Sequence, residues 1–371
     1  MTDTPSRPTQ SRRGNSTSAD AQGLALSVAT PGDGGAIRLS ANESHLPPLR
    51  DAQQAMADTL AAAHRYPDPT CRTLIEAIAM QLSAHEDEIV IGPGSSTLIR
   101  RLFELARTGV APEVLLPEPG FHALPQLAQQ AGIAHRTVPL DRDWAVDLDA
   151  TAEAIRPDTT RMVVISNPHN PTGTVHDPAA LRRFLAAVPP TVTVLLDEAY
   201  IDYAGIADET IAMARDHWAA SHANLVVTRT FSKAHALAAQ RVGYLVAPAQ
   251  IARAVAAAAL PFEVSATAQA GALASFHASG RIQLRCKRLG RERDRVTGHL
   301  EELGFRMPRS VANHVWLPLA RRSDSFAARC LEFGCTVLTY PGLGVRVTIG
   351  CEPDDDLFLA AARDWMRQHR W

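Results

Sequence analysis

The sequence predicts an α/β protein in which a large domain holds a mostly parallel sheet between helices and a smaller α+β domain follows. Short continuous apolar runs alternate with segments of helical periodicity between residues 88 and 247, which is typical of parallel sheets covered on both faces. After residue 248 the chain changes to alanine-rich and charged helical segments and then to short strand-like runs. A length of 371 residues suffices for one large and one smaller domain.

The predicted strands of the large domain share one feature, because nearly every apolar run ends in a polar turn. These runs are 88–91, 114–116, 161–166, 192–196, 225–227 and 242–247. The accompanying helical segments are 51–63, 70–83, 98–106, a segment that ends near 131, and 234–240. The smaller unit is predicted to hold a charged helix at 281–303, strands at 315–319, 336–338 and 345–349, and a final helix at 354–368.

Composition also predicts the domain boundaries. Residues 1–35 are rich in Ser, Thr, Pro, Gly and Arg with little apolar periodicity, so we expect a disordered or loosely docked arm. Residues 36–64 are expected to contribute to the small domain. The large domain is predicted at 65–260 and the remainder of the small domain at 261–371.

Charge and cysteine content narrow the classes of function. The formal net charge of −2 provides no electrostatic reason for a nucleic-acid or anionic-membrane partner. No apolar run approaches the roughly 20 residues of a membrane-spanning helix, and charged, Ser/Thr-rich residues stand where the apolar core of a secretion signal would lie. The five cysteines are scattered without a CxxC pair, so neither a disulfide framework nor a zinc site is predicted. We expect a cytoplasmic protein.

A lysine at the end of one predicted strand is the centre of the functional prediction. The apolar run at 225–227 leads into TFSK at 230–233, and small residues follow Lys233. Because no carboxylate stands nearby in the sequence, a buried Lys233 would need a partner from elsewhere or would be held neutral. A neutral, desolvated lysine is the form that attacks carbonyl groups. A solvated lysine at a surface turn is the common alternative.

Polar residues at the other strand ends are expected to meet this lysine, because ligands bind beyond the carboxyl ends of strands in open parallel sheets. The GPGSST segment at 92–97 begins a helix and can offer N–H groups and hydroxyls to a phosphate, although such turns also cap helices without binding anything. Asp197 follows an apolar run, so its carboxylate would need a cation. Asn170 lies in a turn, and Arg241 opens a strand where it would pair with a carboxylate or an anion.

Taken together, these residues match the requirements of pyridoxal phosphate. That cofactor needs an amine for its aldehyde, a carboxylate for its ring nitrogen, donors for its phenolic oxygen, an aromatic ring beside it and a cup for its phosphate. Lys233 supplies the amine and Asp197 the carboxylate. The remaining requirements are met by Asn170 and Tyr200, by Phe121, and by Ser95, Ser96, Thr230, Ser232 and Arg241.

Seven stretches carry a resemblance to a known family. They read LSANES, YPDP, GPGSST, NPHNPTG, DEAYIDY, RTFSKAHALAAQRVGY and VRVTIG, and they lie in the family's order between residues 38 and 352. The chain resembles a fold-type I aminotransferase of class I and II, closest to the histidinol-phosphate aminotransferase group. The resemblance implies the PLP-transferase fold of type I, with a seven-stranded, mostly parallel sheet in a cofactor-binding domain at 65–260.

The resemblance also implies roles for individual residues. Lys233 would join the cofactor aldehyde and move the proton between substrate and cofactor, and Asp197 would pair with the ring nitrogen. Tyr200 and Asn170 would hydrogen-bond the phenolic oxygen. The expected catalytic residues are Lys233, Asp197 and Tyr200. Phe121 occupies the place of the stacking aromatic residue. The phosphate would be held by Ser95, Ser96, Thr230, Ser232 and Arg241.

The same resemblance implies a homodimer and a substrate site. The tyrosine of YPDP reaches the phosphate of the neighbouring subunit in this family, so Tyr66 implies two shared sites. Arg346 falls on the arginine that binds the acid group of the substrate, and Asn42 is placed with it in the substrate part. The partners are therefore an amino acid and a 2-oxo acid.

Departures from the family pattern point away from histidinol phosphate as the substrate. Relatives that use it carry a second arginine where this chain has Leu338. Loss of one cation for a phosphate should weaken binding by at least ~1.5 kcal/mol. The YPGLG segment at 340–344 is short, and Leu124 stands where relatives often have a second tyrosine. We expect an amino-acid aminotransferase with ping-pong chemistry, and the substrate side chain stays open between aromatic, imidazole and basic groups.

Two other functions remain compatible with parts of the pattern. A pyridoxal-phosphate decarboxylase or amino-acid oxidase would share the fold and the cofactor motifs. A ligand-sensing domain of a transcription regulator would need a DNA-binding domain before the aminotransferase-like part. Residues 1–35 are too short for such a domain.

Overall fold

The computed structural model describes residues 35–219 and 223–369. Except for Gly35, the predicted arm at 1–35 lies outside the described residues. The strands are β1 (Ile37–Arg38), β2 (Ile89–Gly92), β3 (Glu113–Glu118), β4 (Ala134–Pro139), β5 (Thr160–Ser166), β6 (Thr193–Asp197), β7 (Leu225–Thr230), β8 (Gly243–Val246), β9 (His314–Leu317), β10 (Cys335–Thr336), β11 (Leu338–Tyr340) and β12 (Gly344–Thr348).

Helices precede, separate and follow these strands. They are α1 (Arg50–Asp58), α2 (Arg72–Leu82), α3 (Ser95–Leu105), α4 (Ala123–Ala131), α5 (Leu148–Glu153), α6 (Pro178–Ala187), α7 (Ile201–Ala204), α8 (Ala207–Ala219), α9 (Ala249–Ala257), α10 (Ala266–His277), α11 (Ser279–Glu302), α12 (Ser323–Glu332) and α13 (Glu352–Gln368). Within the described ranges, no helix has both the length and the apolar character that crossing a lipid bilayer requires.

The large sheet has seven strands in the order β2-β8-β7-β6-β5-β3-β4. All neighbouring strands are parallel except β8, which runs antiparallel to both β2 and β7. The mostly parallel sheet predicted from the apolar runs is therefore confirmed. Asp197 pairs with Ser166 on one side and with Thr228 on the other, so the polar residues at the carboxyl ends of β5, β6 and β7 lie at one edge.

Both faces of this sheet are buried, and successive residues along a strand enter different cores. In β6, Val194 and Leu196 pack with Val227 of β7 in one core, whereas Leu195 packs with Val226 in the other. This alternation is the period of two that a strand imposes. Because both faces are covered, the sequence of the central strands reads as a continuous apolar run.

A second, smaller unit is built from C-terminal elements and the start of the described chain. β11, β12 and β9 form an antiparallel sheet in that order, and β1 pairs in parallel with β10. Phe326, Phe358 and Trp365 are fully buried in its core together with Leu39. The predicted strand at 336–338 is divided between β10 and β11.

The predicted domain boundaries at 65, 260 and 261 stay predictions. Helix α10 lies after the predicted end of the large domain, yet Ala268, Ala272 and Phe276 pack in the core of the large sheet. Ala52 of α1, in the segment predicted for the small domain, packs with Ile282 and Cys286 of α11.

Two local predictions differ from the structure. The predicted helix at 234–240 is a turn that ends in a single 3₁₀ segment at Ala238–Gln240. Ala236 has a positive φ of 59°, and the amide of Leu237 donates to the carbonyl of Phe231, so the chain turns back instead of propagating a helix. β4 was not predicted, because this edge strand is mostly exposed and lacks an apolar run.

Candidate active site

One cavity of about 310 Å³ opens at the carboxyl ends of the central strands. Eleven of the thirteen site residues predicted from the sequence line it, namely Ser95, Ser96, Phe121, Asn170, Asp197, Tyr200, Thr230, Ser232, Lys233, Arg241 and Arg346. They come from seven separate segments of the chain, which the parallel topology brings to one edge. The other two, Asn42 and Tyr66, do not line the cavity.

Lys233 supplies the primary amine of this cavity. It follows β7, and its Nζ donates a hydrogen bond to the carbonyl of Ala41 at 3.1 Å and lies 5.8 Å from the ring centroid of Tyr200. Burial lowers the pKa of Lys233 to about 7, and the positive charge of Arg346 acts in the same direction. A substantial fraction of this amine is therefore neutral near pH 7, which is the form that adds to a carbonyl.

Asp197 stands at the end of β6 and is almost fully buried. The hydroxyl of Thr228 donates to its Oδ1 at 3.4 Å. Burial raises the pKa of Asp197 to about 6, although hydrogen bonds from the Ala199 backbone and Thr228 oppose the shift. A carboxylate in this position is stabilised by a cation, such as a protonated ring nitrogen.

The amino end of helix α3 lines a cup that is suited to an anion. Gly94 precedes the helix and offers no side-chain cap to its N–H groups, which leaves them available together with the positive end of the helix dipole. Gly94 has a φ of 80°, and a Cβ there would lie 2.6 Å from Nη2 of Arg241. A Cβ at Gly243 would lie 2.7 Å from the backbone nitrogen of Ser95. The glycines therefore permit Arg241 and β8 to approach the helix end closely.

Hydroxyl groups complete this cup. The hydroxyl of Thr230 donates to Oγ of Ser232 at 3.0 Å, and the backbone N–H of Ser232 donates back to Oγ1 of Thr230 at 3.1 Å. Arg241 Nη1 donates to the carbonyl of Ala238 at 2.9 Å and lies 3.4 Å from Oγ of Ser232. A guanidinium, hydroxyls and a helix amino end directed at one point suit a phosphate group.

Arg346 of β12 occupies the opposite side of the cavity and is 3% exposed. Its Nη1 donates to Oδ1 of Asn170 at 2.8 Å and its Nη2 donates to the carbonyl of Ser40. The Nε atom is buried without a hydrogen-bond partner. Among the described residues, no carboxylate forms an ion pair with Arg346, so this buried cation is suited to an anionic ligand.

The cavity wall between the cup at helix α3 and Arg346 is formed by Tyr200, Asn170 and Phe121. Tyr200 accepts a hydrogen bond at Oη from Nδ2 of Asn42 at 2.9 Å, and burial raises the pKa of Tyr200. Because Oδ1 of Asn170 already accepts from Arg346, the NH₂ group of Asn170 remains as its donor. Phe121 is half-buried at the cavity wall and meets the ring of His122 edge-on at 5.3 Å.

The remaining two predicted residues lie elsewhere. Asn42 is fully buried behind Tyr200, with its side chain committed to Tyr200, His314 and Thr348. Its predicted contact with substrate stays a prediction, and its observed contacts are with the wall of the cavity. Tyr66 is 81% exposed and stacks on Phe262 with ring centroids 4.6 Å apart. Its predicted reach into a neighbouring subunit also stays a prediction.

The sequence did not single out two further cavity residues. His122 lines the cavity, and burial lowers its pKa to about 4, with Arg346 and Lys233 acting in the same direction. Glu43 also lines the cavity and pairs with Arg38 at 2.7 Å. Each stands beside a residue of a recognised motif, since His122 follows Phe121 and Glu43 follows Asn42, but adjacency alone did not indicate that either side chain faces the cavity.

The cavity fits pyridoxal phosphate on three observations. The partly neutral amine of Lys233 and the buried carboxylate of Asp197 lie in the same cavity. A glycine-lined cup with Arg241 at its edge suits the phosphate. Arg346, without a carboxylate partner among the described residues, is a further buried cation that suits an anionic group beside the cofactor.

Comparisons with known proteins agree with this geometry. A family model described as aminotransferase class I and II matches residues 35–362. An aromatic amino acid aminotransferase of Rhodococcus jostii (strain RHA1) is 42% identical over 328 residues, which are 88% of this chain and 90% of the relative. A protein of the same name from Mycobacterium sp. (strain KMS) is 39% identical over 343 residues, covering 90% and 94% of the two chains.

Two solved structures show the same fold. Histidinol-phosphate aminotransferase from Sinorhizobium meliloti in complex with pyridoxal-5'-phosphate superposes with a TM-score of 0.81 and 24% identity, covering 90% of this chain and 91% of that one. Aspartate aminotransferase from Thermus thermophilus with maleate has a TM-score of 0.75 and 21% identity, with coverages of 90% and 91%.

The fold and the cavity define a pyridoxal-phosphate-dependent enzyme of fold type I. The chain belongs to the class I and II aminotransferase family. It is an aminotransferase that moves an amino group between an L-amino acid and a 2-oxo acid. The predictions of fold type, enzyme class and cofactor are confirmed, and transamination is supported over the decarboxylase and oxidase alternatives.

Proposed function

We propose that this aminotransferase acts on aromatic amino acids and the corresponding 2-oxo acids, as a cytoplasmic homodimer. The curated relatives named aromatic amino acid aminotransferase, at 39–42% identity and with coverage of most of both chains, support this substrate class. The charge distribution of the cavity supports it independently.

The observation that carries the proposal is the allocation of the cations around the cavity. Lys233, Arg241 and Arg346 are its basic residues in the part of the chain that the structure describes. Lys233 faces the cofactor aldehyde and Arg241 belongs to the phosphate cup, so Arg346 alone is left for the substrate. One guanidinium matches one carboxylate, and a substrate phosphate would find no second cation.

The wall around Arg346 favours an uncharged side chain. Leu338 is paired directly opposite Arg346 in the small sheet, and it lines the cavity with Phe121 and Ala123. His122 adds a ring that stays neutral at pH 7, because burial lowers its pKa to about 4. Ser40, Glu43 and Asn170 also line the cavity, but Ser40 and Asn170 already bind Arg346 and Glu43 is paired with Arg38. The apolar and aromatic side of the wall is typical of pockets that accept an apolar or aromatic ring.

We assign the following roles to the residues of the cavity. Pyridoxal phosphate would be held by Lys233, Asp197 and the cup at helix α3, and it supplies an electron sink for charge at the substrate Cα. Asp197 keeps the ring nitrogen protonated, and Tyr200 donates to the phenolic oxygen. Lys233 takes the proton from Cα and returns it, while Arg346 holds the substrate carboxylate.

An exposed apolar surface supports the homodimer. Leu260 is 73% exposed and lies near Phe262, which stacks on the exposed Tyr66. Exposed apolar residues of this size gathered at one place mark an interaction surface. We propose that a second copy covers this surface and that Tyr66 then reaches the partner's phosphate cup. All five cysteines are free, which agrees with a reducing compartment such as the cytoplasm.

A half-reaction screen tests the proposed substrate class. Holoenzyme is mixed with single amino acids in the absence of a 2-oxo acid, and loss of the visible absorption band of the cofactor is followed. Tyrosine and phenylalanine should react with a kcat/KM at least ~10-fold above that of aspartate, lysine and histidinol phosphate, since apolar pockets discriminate by about that factor. Lys233→Ala provides the background rate. A preference for aspartate or for histidinol phosphate would contradict the proposal.

A further inference from the structure

Three buried polar side chains form a hydrogen-bonded chain behind the cavity wall. Nδ2 of Asn42 lies 2.9 Å from Oη of Tyr200 and 2.9 Å from Nδ1 of His314. Tyr200, Asn42 and His314 are all buried, and His314 meets the ring of Tyr200 edge-on with ring centroids 5.0 Å apart. Only Tyr200 of the three lines the cavity.

The direction of each hydrogen bond follows from the groups available. The hydroxyl of Thr348 donates to Oδ1 of Asn42 at 3.0 Å, while the backbone N–H of Asn42 donates to the same hydroxyl at 2.9 Å. Both N–H groups of the Asn42 amide are then used by Tyr200 and His314. Reversing the amide would leave the hydroxyl proton of Thr348 without an acceptor among the described residues. Tyr200 therefore accepts from Asn42, and its own proton points elsewhere.

His314 also constrains the orientation of the Asn42 amide. Nδ1 lies 2.9 Å from Nδ2 of Asn42 and 3.4 Å from Oδ1 of Asn313. We take the shorter contact as the hydrogen bond, so Nδ1 is the unprotonated acceptor and the neutral ring carries its proton on Nε2. Burial lowers the pKa of His314 well below its usual value, and the charges of Arg346 and Lys233 lower it further. Nε2 is buried and has no hydrogen-bond partner among the described residues. A phenylalanine at position 314 would keep an aromatic ring but would lack the acceptor at Nδ1.

We propose that His314 is a positioning residue, which holds the Asn42 amide in one orientation and thereby keeps Tyr200 a hydrogen-bond donor toward the cofactor's phenolic oxygen. Without an acceptor at residue 314 the amide loses one of its two constraints, the other being Thr348. In the reversed orientation the hydroxyl of Tyr200 would donate to Oδ1 of Asn42 instead of into the cavity. The inference rests on the cofactor placement proposed above. His314 itself does not line the cavity and would act on the cofactor only through Asn42 and Tyr200.

The test is the pH midpoint of the visible absorption change of the holoenzyme. A donor to the phenolic oxygen stabilises negative charge there and weakens the hold of that oxygen on the neighbouring proton, so loss of the donor raises the midpoint. Tyr200→Phe removes the donor outright. His314→Phe should raise the midpoint in the same direction, by about 0.5 to 1 unit for one hydrogen bond. His314→Asn, whose amide oxygen can stand in for Nδ1, should return it close to the parent value.

Thr348→Val carries the test even where His314→Phe fails to fold. It replaces the hydroxyl by a methyl of similar shape and frees the amide from its other end, so it should also raise the midpoint. Unchanged midpoints in His314→Phe and Thr348→Val, beside a raised midpoint in Tyr200→Phe, would overturn the inference and leave the cofactor placement standing. An unchanged midpoint in Tyr200→Phe would overturn both. An equal rise in His314→Asn and His314→Phe would show that only packing matters at this position and would also overturn the inference.

Discussion

Replacing Arg346 by methionine should separate function from stability. Arg346 is 3% exposed, and among the described residues its guanidinium has the side-chain carbonyl of Asn170 and the backbone carbonyl of Ser40 as acceptors but no carboxylate. A buried cation without a counterion does not stabilise a fold, because its desolvation outweighs what two neutral acceptors return. We expect Arg346→Met to abolish efficient use of amino acids while the apoprotein stays as stable as the parent or becomes more stable.

The size of the activity loss follows from the hydrogen bonds that the substrate would lose. A carboxylate held by a guanidinium makes two charge-assisted hydrogen bonds of about 1.5–3 kcal/mol each. Loss of both removes about 3–6 kcal/mol, which corresponds to a fall in kcat/KM of roughly 10²- to 10⁴-fold. The fall should be similar for every amino acid tried, since the carboxylate is common to all of them.

Arg229 offers a matched control in the same fold. It is also buried, but its Nε lies 2.7 Å from Oε2 of the buried Glu198. Arg229→Met would leave that carboxylate buried without a cation, which typically destabilises a protein by about 3–5 kcal/mol. The two variants should therefore differ sharply in stability, although both remove a buried arginine.

Two measurements check this pair. Single-turnover rates with tyrosine give kcat/KM for the half-reaction, and chemical denaturation of the apoproteins gives the free energy of unfolding. A kcat/KM of Arg346→Met within a few-fold of the parent would refute the assignment of the substrate carboxylate to Arg346. A destabilisation of Arg346→Met as large as that of Arg229→Met would refute the view that Arg346 is a cation held for a ligand.

Four further variants test other parts of the site. Lys233 has a pKa of about 7 in the fold, against an ordinary value of 10.5. Between these pH values the unfolded chain holds more protons than the folded one, so the stability of the apoprotein rises with pH. In pH-dependent denaturation, Lys233→Met should lower this slope by at most ~1.4 kcal/mol per pH unit, because the cavity admits water. The pKa of Asp197 is raised to about 6 from 3.8, so its contribution to stability is lost as pH rises through 6. Asp197→Asn should therefore stabilise the apoprotein at pH 8 by at most ~3 kcal/mol and abolish half-reaction turnover. A destabilised apoprotein would contradict this expectation. Leu260→Asp should dissociate the proposed dimer, because an unpaired carboxylate is costly to bury at an apolar interface. Sedimentation velocity measures this, and an unchanged sedimentation coefficient would place the interface elsewhere. Leu338→Arg should raise kcat/KM for histidinol phosphate by ~10-fold or more through one added cation; no gain would show that position 338 does not face a substrate phosphate.

The strands that position the site could be predicted because both faces of the large sheet are buried. β5, β6 and β7 therefore appear in the sequence as uninterrupted apolar runs that end in polar turns. The edge strand β4 carries exposed residues and was missed for the same physical reason. The turn after Lys233 was mistaken for a helix, since alanine-rich segments favour helices unless tertiary contacts bend the chain, as the positive φ of Ala236 shows here.

The cofactor half of the site could be predicted better than the substrate half. Lys233, Asp197 and the helix amino end at Ser95 sit at strand ends, where the topology itself gathers polar groups. Arg346 was expected only from the resemblance, because nothing in its apolar strand marks it as a ligand. His314 was not expected at all, because its contact with Asn42 joins residues 272 positions apart in the sequence.

The short segment from β1 to Asn42 is hydrogen-bonded to both parts of the molecule. Its strand is paired with β10, and the carbonyl of Leu39 accepts from the amide of Thr348, so it is hydrogen-bonded to the small unit. Immediately beyond, the carbonyls of Ser40 and Ala41 accept hydrogen bonds from Arg346 and Lys233. Hydrogen bonds of this bent segment therefore link β10 to the amine of Lys233, and we expect substitutions in β10 to change turnover while the large sheet remains unaltered.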